Sequence, residues 1–477
     1  MNQWTDLLAT ALVGTDRRPG IAASALLDRA AAWSVYRRAG LRPVEGLPTP
    51  APAPPEHDPV VRTAAAHRLA ILADPDIFGD ATIRLALLAE WLTEAARRGW
   101  RAPPELLPDL LDVGRRQREL RPLIVAAGGT RLGWLAQQNP EWTYVWQIEG
   151  ERTDGDNHWD EGTRGQRIAH LTALRRIDPA AGRTLLVEEW SALHSDERAE
   201  LLPRLAIGLG PDDEEFLEAV LDDRRREIRT VAIDLLNTLP DSAFNERMAA
   251  RARACITVRD GVISVEPPAD CDPDMRRDGV IPKPPAGIGE RAWWLEQVLA
   301  RAPLATWGGP GFLGHSIEEG WDVVVLRGLA RAASFHRDSA WADALLDRID
   351  LAASPAIVAQ LYPALGPDEL VNRAIEAMRD ETAGLGKLIE YVLEHCPAPW
   401  PPELATAVLA GLESHAKHRR MPYDLYRVSR IAALRMPPAF AAVAAAVAQR
   451  TDSRGIGVFE RLAEILQLRH EMIQELE

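Results

Sequence analysis

Three prolines, Pro179, Pro211 and Pro240, stand 32 and 29 residues apart, each at a boundary between two runs of helical apolar spacing. Proline lacks an amide donor and restrains the residue before it, so each interrupts a helix at a near-regular interval. Around them the chain reads as paired amphipathic runs. TRGQRIAHLTALRRIDP and AAGRTLLVEEW form one pair, SDERAELLPRLAIGLGP and DDEEFLEAVLDD a second, RRREIRTVAIDLLNTLP and DSAFNERMAARARACI a third. Ile228, Val231, Leu235 and Leu239 lie three and four apart, the spacing of one helix face. A hairpin of this kind cannot bury its apolar face alone, and stacked neighbours supply the missing core. The pattern predicts an all-α chain in which 163–256 folds as HEAT-like helical-hairpin repeats, an α-solenoid with a period somewhat shorter than usual for HEAT.

Ahead of this array, 1–150 reads as an N-terminal helical region, with helices expected over 4–12, 26–39, 60–73, 83–98 and 104–113. Seven prolines between Pro43 and Pro59 make 43–59 an extended linker. The stretch GGTRLGWLAQQNPEWTYVW at 128–146 is the hinge between the two regions. Gly128 and Gly129 open a turn, 131–138 makes one or two helical turns, and Pro140 stops them. Trp134, Trp142, Tyr144 and Trp146 concentrate aromatic mass there. One reading is a structural plug, with Trp134 and Trp142 buried and joining the N-terminal helices to the first hairpin. The other is a recognition surface of the same indoles flanked by Arg131 and Asn139. Packing is the commoner role of tryptophan.

Beyond the array, CITVRDGVISV places two β-branched runs around Asp260-Gly261, a hairpin-turn signal. A small β-hairpin insertion is expected near 255–265, and 257–288 reads as that hairpin followed by a Pro-rich linker. Helical spacing returns over 289–477, as more hairpins of the same array or as a second helical domain.

Charge limits the partners. The net charge is −15, and it is uneven: 1–150 holds 17 Arg and 17 acids, whereas 151–260 holds 16 basic and 23 acidic residues. An acidic body disfavours nucleic acid and anionic membrane surfaces, since both need positive charge at the contact. The three cysteines, Cys255, Cys271 and Cys396, are far apart without a CxxC, as expected of reduced thiols. MNQWTDLLATALVGTDRR lacks the positive region of a signal peptide, and the most apolar run, 439–448, is too short to span a bilayer. The expectation is a soluble, cytoplasmic protein with no membrane association.

Several constellations invite chemistry. Asp154, Asp156, His158 and Asp160 suggest a calcium loop, but Trp159 stands where the loop needs Gly and Gly165 where it needs the bidentate Glu. His415 and His418 share a helix face near Glu413, yet HxxH without a second ligand cluster is weak, and so is Cys396 beside His395. Gly128-Gly129-Thr130 ahead of a helical turn could hold an anion on backbone amides, but it lacks the spacing and Lys of a P-loop. GxSxG and HExxH are both missing. No metal or cofactor is expected. Asp222, Asp223, Arg224 and Arg229 sit where the second and third hairpins meet, as an Asp–Arg ladder tying one repeat to the next or as a charged strip for a partner.

Three stretches carry a resemblance: ALVGTDR at 11–17, GTRLGWLAQQNPEW at 129–142 and DEEFLEAVLDDRRREIRTVAIDLLNTLPDSAFNERM at 213–248. Together they resemble an uncharacterised bacterial family known as a domain of unknown function. The resemblance implies a helical, HEAT-like fold. It also implies a partner set, because members are often encoded beside a MoxR-type AAA+ ATPase, a von Willebrand A-domain protein and a SWIM zinc-finger protein. No catalytic residue carries over. The expected function is a non-enzymatic scaffold or adaptor for a partner protein. The alternatives are a nucleic-acid-acting HEAT-like protein using Arg175, Arg176 and Arg224 to Arg226, and an enzyme with a site near the hinge.

Overall fold

Side-chain caps and prolines set the helix boundaries. Asp80 accepts from the amides of Thr82 and Ile83, Asp178 from Ala181, Ser242 from Asn245 and Asp338 from Trp341, each meeting an amide that the helix itself leaves unpaired. Thr163 and Gln166 form a reciprocal capping box. The computed structural model describes residues 3–15, 22–38, 50–77, 80–146, 159, 162–349, 355–379, 387–418, 422–451 and 456–477. Among the described residues the chain is all-α apart from one small sheet, and it separates into two compact units, Met1–Pro54 and Pro55–Glu477. The boundaries expected near 150 and 257 both fall inside the second unit.

The first unit is a helix pair, α1 (Gln3–Val13) packed on α2 (Ala23–Arg38). Leu7 is buried, while Leu12, Leu27 and Val35 stay exposed.

The second unit begins with residues 55–61 as a strap, followed by α3 (Thr63–Ala73), α4 (Ala81–Arg97), α5 (Leu107–Arg116) and α6 (Arg121–Gln138). The turn expected at Gly128-Gly129 lies inside α6, not ahead of it. Pro122 starts the helix seven residues earlier than Gly129, Ile124 and Val125 bury its first half, and Gly129 (φ 69°, ψ −174°) kinks it. Gly129 is needed there because a positive φ strains other residues.

Next come α7 (Arg164–Ile177), α8 (Pro179–Glu189), α9 (Ser195–Leu201), α10 (Glu214–Val220), α11 (Arg226–Thr238) and α12 (Ala243–Cys255). These six helices occupy the expected runs. α7 packs on α8, and α11 on α12. The middle pair departs from the expectation: Pro203 tightens the end of α9 into a 3-10 turn, and α10 packs chiefly on α11, the first helix of the following pair. α7, α9 with its 3-10 turn, and α11 stack in a row.

The β-hairpin is present. β1 (Ile256–Arg259) pairs antiparallel with β2 (Val262–Val265), and Asp260 and Gly261 both take positive φ, 51° and 77°, as a tight hairpin turn requires. A two-residue strand, β3 (Ser316–Ile317), adds in parallel to β2 and was not legible in the sequence. The Pro-rich stretch after the hairpin contains α13 (Pro273–Arg277) and lies firmly on α14 (Glu290–Arg301). Met275 and Val280 are buried, and the Trp293 and Trp294 indoles donate to the carbonyls of Ile281 and Pro282 at 2.9 and 2.8 Å.

The remaining helices are α15 (Asp322–His336), α16 (Ser339–Arg348), α17 (Pro355–Leu361), α18 (Pro367–Arg379), α19 (Lys387–His395), α20 (Pro402–His418), α21 (Pro422–Arg435), α22 (Ala441–Arg450) and α23 (Ile456–Glu475). From α17 they alternate between two rows: α17, α19, α21 and α23 in one, α18, α20 and α22 in the other. The row does not stop at the end of the chain, because α23 packs on α3 and α4 and α21 on α4. A continuous apolar core runs from Val61 to Leu476. Among the described residues no helix is long and apolar enough to cross a membrane.

Candidate functional site

Arginine–carboxylate pairs join successive helical layers along the second unit. Arg167 reaches Glu197 at 3.0 Å, Arg198 reaches Asp223 at 3.3 Å and Arg225 reaches Asp196 at 2.5 Å, across 30, 25 and 29 residues. Arg247 bonds both Glu218 and Asp278, across 29 and 31 residues, and Arg373 bonds Asp343 across 30. The separations match the proline steps, so each arginine spans about one hairpin. Exposed pairs of this kind add little stability singly, ~0–1 kcal/mol. Asp278 and Glu296 differ, since both are buried. Arg247 and Arg251 converge on Asp278, and Arg327 and Arg331 on Glu296, meeting the need of a buried carboxylate for charged donors.

Of the four charged residues expected between the second and third hairpins, Asp222 and Asp223 lie on this ladder, whereas Arg229 bonds the backbone of its own turn. Asp222 accepts two parallel bonds from Arg277, at 2.9 and 3.0 Å across 55 residues, and this hydrogen-bonded guanidinium lowers its pKa. Asp223 pairs with Arg198 and also accepts from the Arg225 amide. Arg229 donates to backbone, the carbonyls of Asp223 at 2.7 Å and Arg224 at 3.1 Å. Arg224 is exposed. The Asp–Arg ladder exists, therefore, but its arginines come from neighbouring layers. Arg277, whose segment reads as a linker, was the residue missed.

The hinge residues divide differently. Trp134 and Trp142 are half-buried, where the sequence suggested full burial. Trp142 donates its indole N–H to Asp112 on α5 at 3.0 Å, so it fastens α5 to the end of α6. Asn139 caps the turn at Pro140 by accepting from the Glu141 amide. The aromatic neighbour of the first hairpin is Trp159, which is buried and lies 6.4 Å from the ring of His170 on α7. The possible anion cradle at Gly129 holds an anion from the chain itself. The Glu56 carboxylate accepts from the amides of Thr130 (3.1 Å) and Arg131 (2.7 Å), with Arg101 at 3.9 Å. Burial alone would raise the Glu56 pKa, but these amides and Arg101 bring it below the usual value.

The remaining candidates are placed as follows. Arg175 is fully buried, bonded to Asp213 at 2.9 and 3.1 Å and to the carbonyls of Pro179, Leu205, Ile207 and Gly208. It cannot face a nucleic-acid backbone, and Arg225 is engaged by Asp196, whereas Arg176 and Arg226 are exposed. Asp154, Asp156, His158 and Asp160 lie outside the described residues, as does the side chain of His418. Glu413, near His415, is bonded by Arg450 and Lys417. The Cys396 thiol donates to the Leu370 carbonyl and burial pushes its pKa up to about 11, while His395 bonds the Tyr391 carbonyl.

The family of unknown function DUF5691 matches this chain over residues 6–476, nearly its whole length, and the chain belongs to that family. No curated protein and no solved structure matches it.

Proposed function

We propose that this member of the family is a non-enzymatic scaffold or adaptor: an α-solenoid of HEAT-like helical hairpins that holds a partner protein in the bacterial cytoplasm. The observation that carries this reading is the ladder of arginine–carboxylate pairs spaced about one hairpin apart. Such pairs join layer to layer and favour one fixed register of stacked hairpins. A stack held in register offers its partner an extended surface built in advance. The partners implied are a MoxR-type AAA+ ATPase or a von Willebrand A-domain protein, with the hinge around Arg131, Trp134, Asn139 and Trp142 and the junction at Asp222, Asp223, Arg224 and Arg229 as contact regions. The nucleic-acid alternative is weakened by the burial of Arg175 and the pairing of Arg225.

The test is reconstitution. Purified protein is mixed with each purified candidate partner, and complex formation is followed by size-exclusion chromatography with light scattering. Co-elution at fixed stoichiometry, weakened by Arg224→Glu, is the expected result. Failure of both candidates to bind, together with tight binding of single- or double-stranded DNA at physiological salt, would replace the scaffold reading.

A further inference from the structure

The first unit leaves more apolar surface open than its length explains. Among the described residues sixteen large apolar side chains stay exposed, and six of them, Leu8, Leu12, Val13, Leu27, Val35 and Tyr36, belong to α1 and α2. Leu12 is 79% exposed, Leu27 74% and Val35 67%. Single exposed apolar residues need no explanation, whereas an ordered set of them marks a contact surface. Here they are ordered. Leu8 and Leu12 stand four apart on α1, and Leu27, Ala31 and Val35 stand four apart on α2, so each helix carries an apolar stripe. A helix pair inside Met1–Pro54 is too small to wrap all of these around a core of its own.

The α2 stripe points to its occupant. It reads large, small, large, and therefore reads the same in both directions. A second copy of α2 laid antiparallel across Ala31 sets Leu27 of one copy against Val35 of the other, twice over, about a two-fold axis. Ala31 is itself exposed, and its small side chain lets two helices approach closely at the crossing. Charge does not interrupt the stripe, since Asp28 falls at its rim and Arg29 on the far side of α2 at 100° per residue. Residues 1–54 hold six Arg and four acids, net +2, against −15 for the whole chain, so residues 55–477 carry −17. Two bodies of that charge repel, and the near-neutral N-terminal units are where two copies meet with least repulsion. Two helix pairs make four helices, enough to close a bundle core. Helices about 16 and 24 Å long fall short of the ~800 Å² per partner of a standard stable interface, so the association is weak and concentration-dependent.

We propose that the N-terminal helix pair is a homodimerisation module, in which two copies of this chain join as a four-helix bundle centred on the Leu27–Ala31–Val35 stripes of α2. The inference stands apart from the scaffold reading and survives its failure. It leaves the body of each copy free to carry a partner.

The experiment is sedimentation velocity of the full chain from about 1 to about 200 µM, at about 150 and about 500 mM NaCl. Wild type shifts from monomer to dimer across this range, and the shift persists at the higher salt because the contact is apolar. Leu27→Glu weakens dimerisation at least about tenfold. Leu27 is exposed in the single chain, so at a dilution where wild type is monomeric the variant melts like wild type. A second readout does not depend on that variant. Under mild oxidation Ala31→Cys, at the crossing, links two copies by a disulfide, whereas Arg29→Cys on the far side of α2 does not. A monomer throughout the range, a dimer that Leu27→Glu leaves unchanged, or equal cross-linking of the two cysteine variants overturns the proposal.

Discussion

Arg469 on α23 grips Glu90 on α4 through two parallel hydrogen bonds, Nε to Oε2 at 2.7 Å and Nη2 to Oε1 at 2.9 Å, across 379 residues. Its Nη1 also holds the carbonyls of Ala433 and Met436 at the end of α21. Three elements thus converge on one buried guanidinium, and Arg68 on α3 adds bonds to Glu475 and Glu471. The last helix of the chain thereby fastens the first helices of its own unit.

Glu90→Ala should therefore lower stability by about 3 kcal/mol, because it leaves the Arg469 charge buried and unpaired. Replacing both partners, as Glu90→Leu with Arg469→Met, should recover most of that loss. Urea unfolding of the two singles and the double decides it. A single substitution costing under about 1 kcal/mol would show that the contact is incidental.

Adjacent arginines on α7 should behave as opposites. Arg175 satisfies four carbonyls and Asp213 inside the protein, and a Cβ on Gly182 would come within 2.7 Å of its Cδ. Arg175→Ala removes a buried guanidinium and leaves Asp213 unpaired, an expected cost of about 3–5 kcal/mol or loss of folding. Arg176 is exposed, and Arg176→Ala should stay within about 0.5 kcal/mol. Melting curves of the pair check both halves.

That contrast shows where sequence reading stops. Helix positions were legible because apolar residues three and four apart report one face, and Asp260-Gly261 announced the hairpin because its turn needs two positive φ values. Burial of an arginine leaves no such periodic mark, so Arg175 read like Arg176. Gly128-Gly129 read as a turn because local composition cannot distinguish a kink within a helix from a break between two. The prolines around Arg277 suggested a linker, whereas the carbonyls of Pro267, Ile281 and Pro282 accept from Arg291, Trp293 and Trp294 of α14. Of the hinge and junction residues, Asp222 and Asp223 were recognisable as ladder charges, but their arginines lie 55 and 25 residues away and follow only from the stacking.

Glu413 gives the ladder a pH signature. The hydrogen bond from Arg450, reinforced by Lys417, lowers its pKa from 4.5 to about 2. A carboxylate depressed on folding contributes stability that is complete above its unfolded value and fades as pH falls through the folded one. Glu413→Gln should thus lower the urea midpoint at pH 7, and the difference from wild type should shrink between pH 4.5 and about 2. A difference that persists undiminished at the acid end would assign the effect to packing of the side chain and not to its charge.

The strap ahead of α3 offers the sharpest test of a single backbone position. Gly129 takes φ 69°, and a Cβ there would lie 2.6 Å from Glu56 Oε2, inside contact distance. Gly129→Ala combines the strain of a positive φ with expulsion of the carboxylate, so a loss of about 1–3 kcal/mol is expected. Glu56→Gln should cost less, because one amide oxygen can still accept from Thr130 or Arg131. Gly165 on the first turn of α7 is the control: nothing lies near its Cβ position and its φ is not positive, so Gly165→Ala should leave stability unchanged or raise it by up to about 1 kcal/mol. Thermal melts rank the three variants, and limited proteolysis followed by mass spectrometry locates the change. Cleavage concentrated at 50–59 in Gly129→Ala, and absent in Gly165→Ala, would place the loss at the strap. Equal melting of the two glycine variants would mean that Glu56 holds the strap without help from the kink.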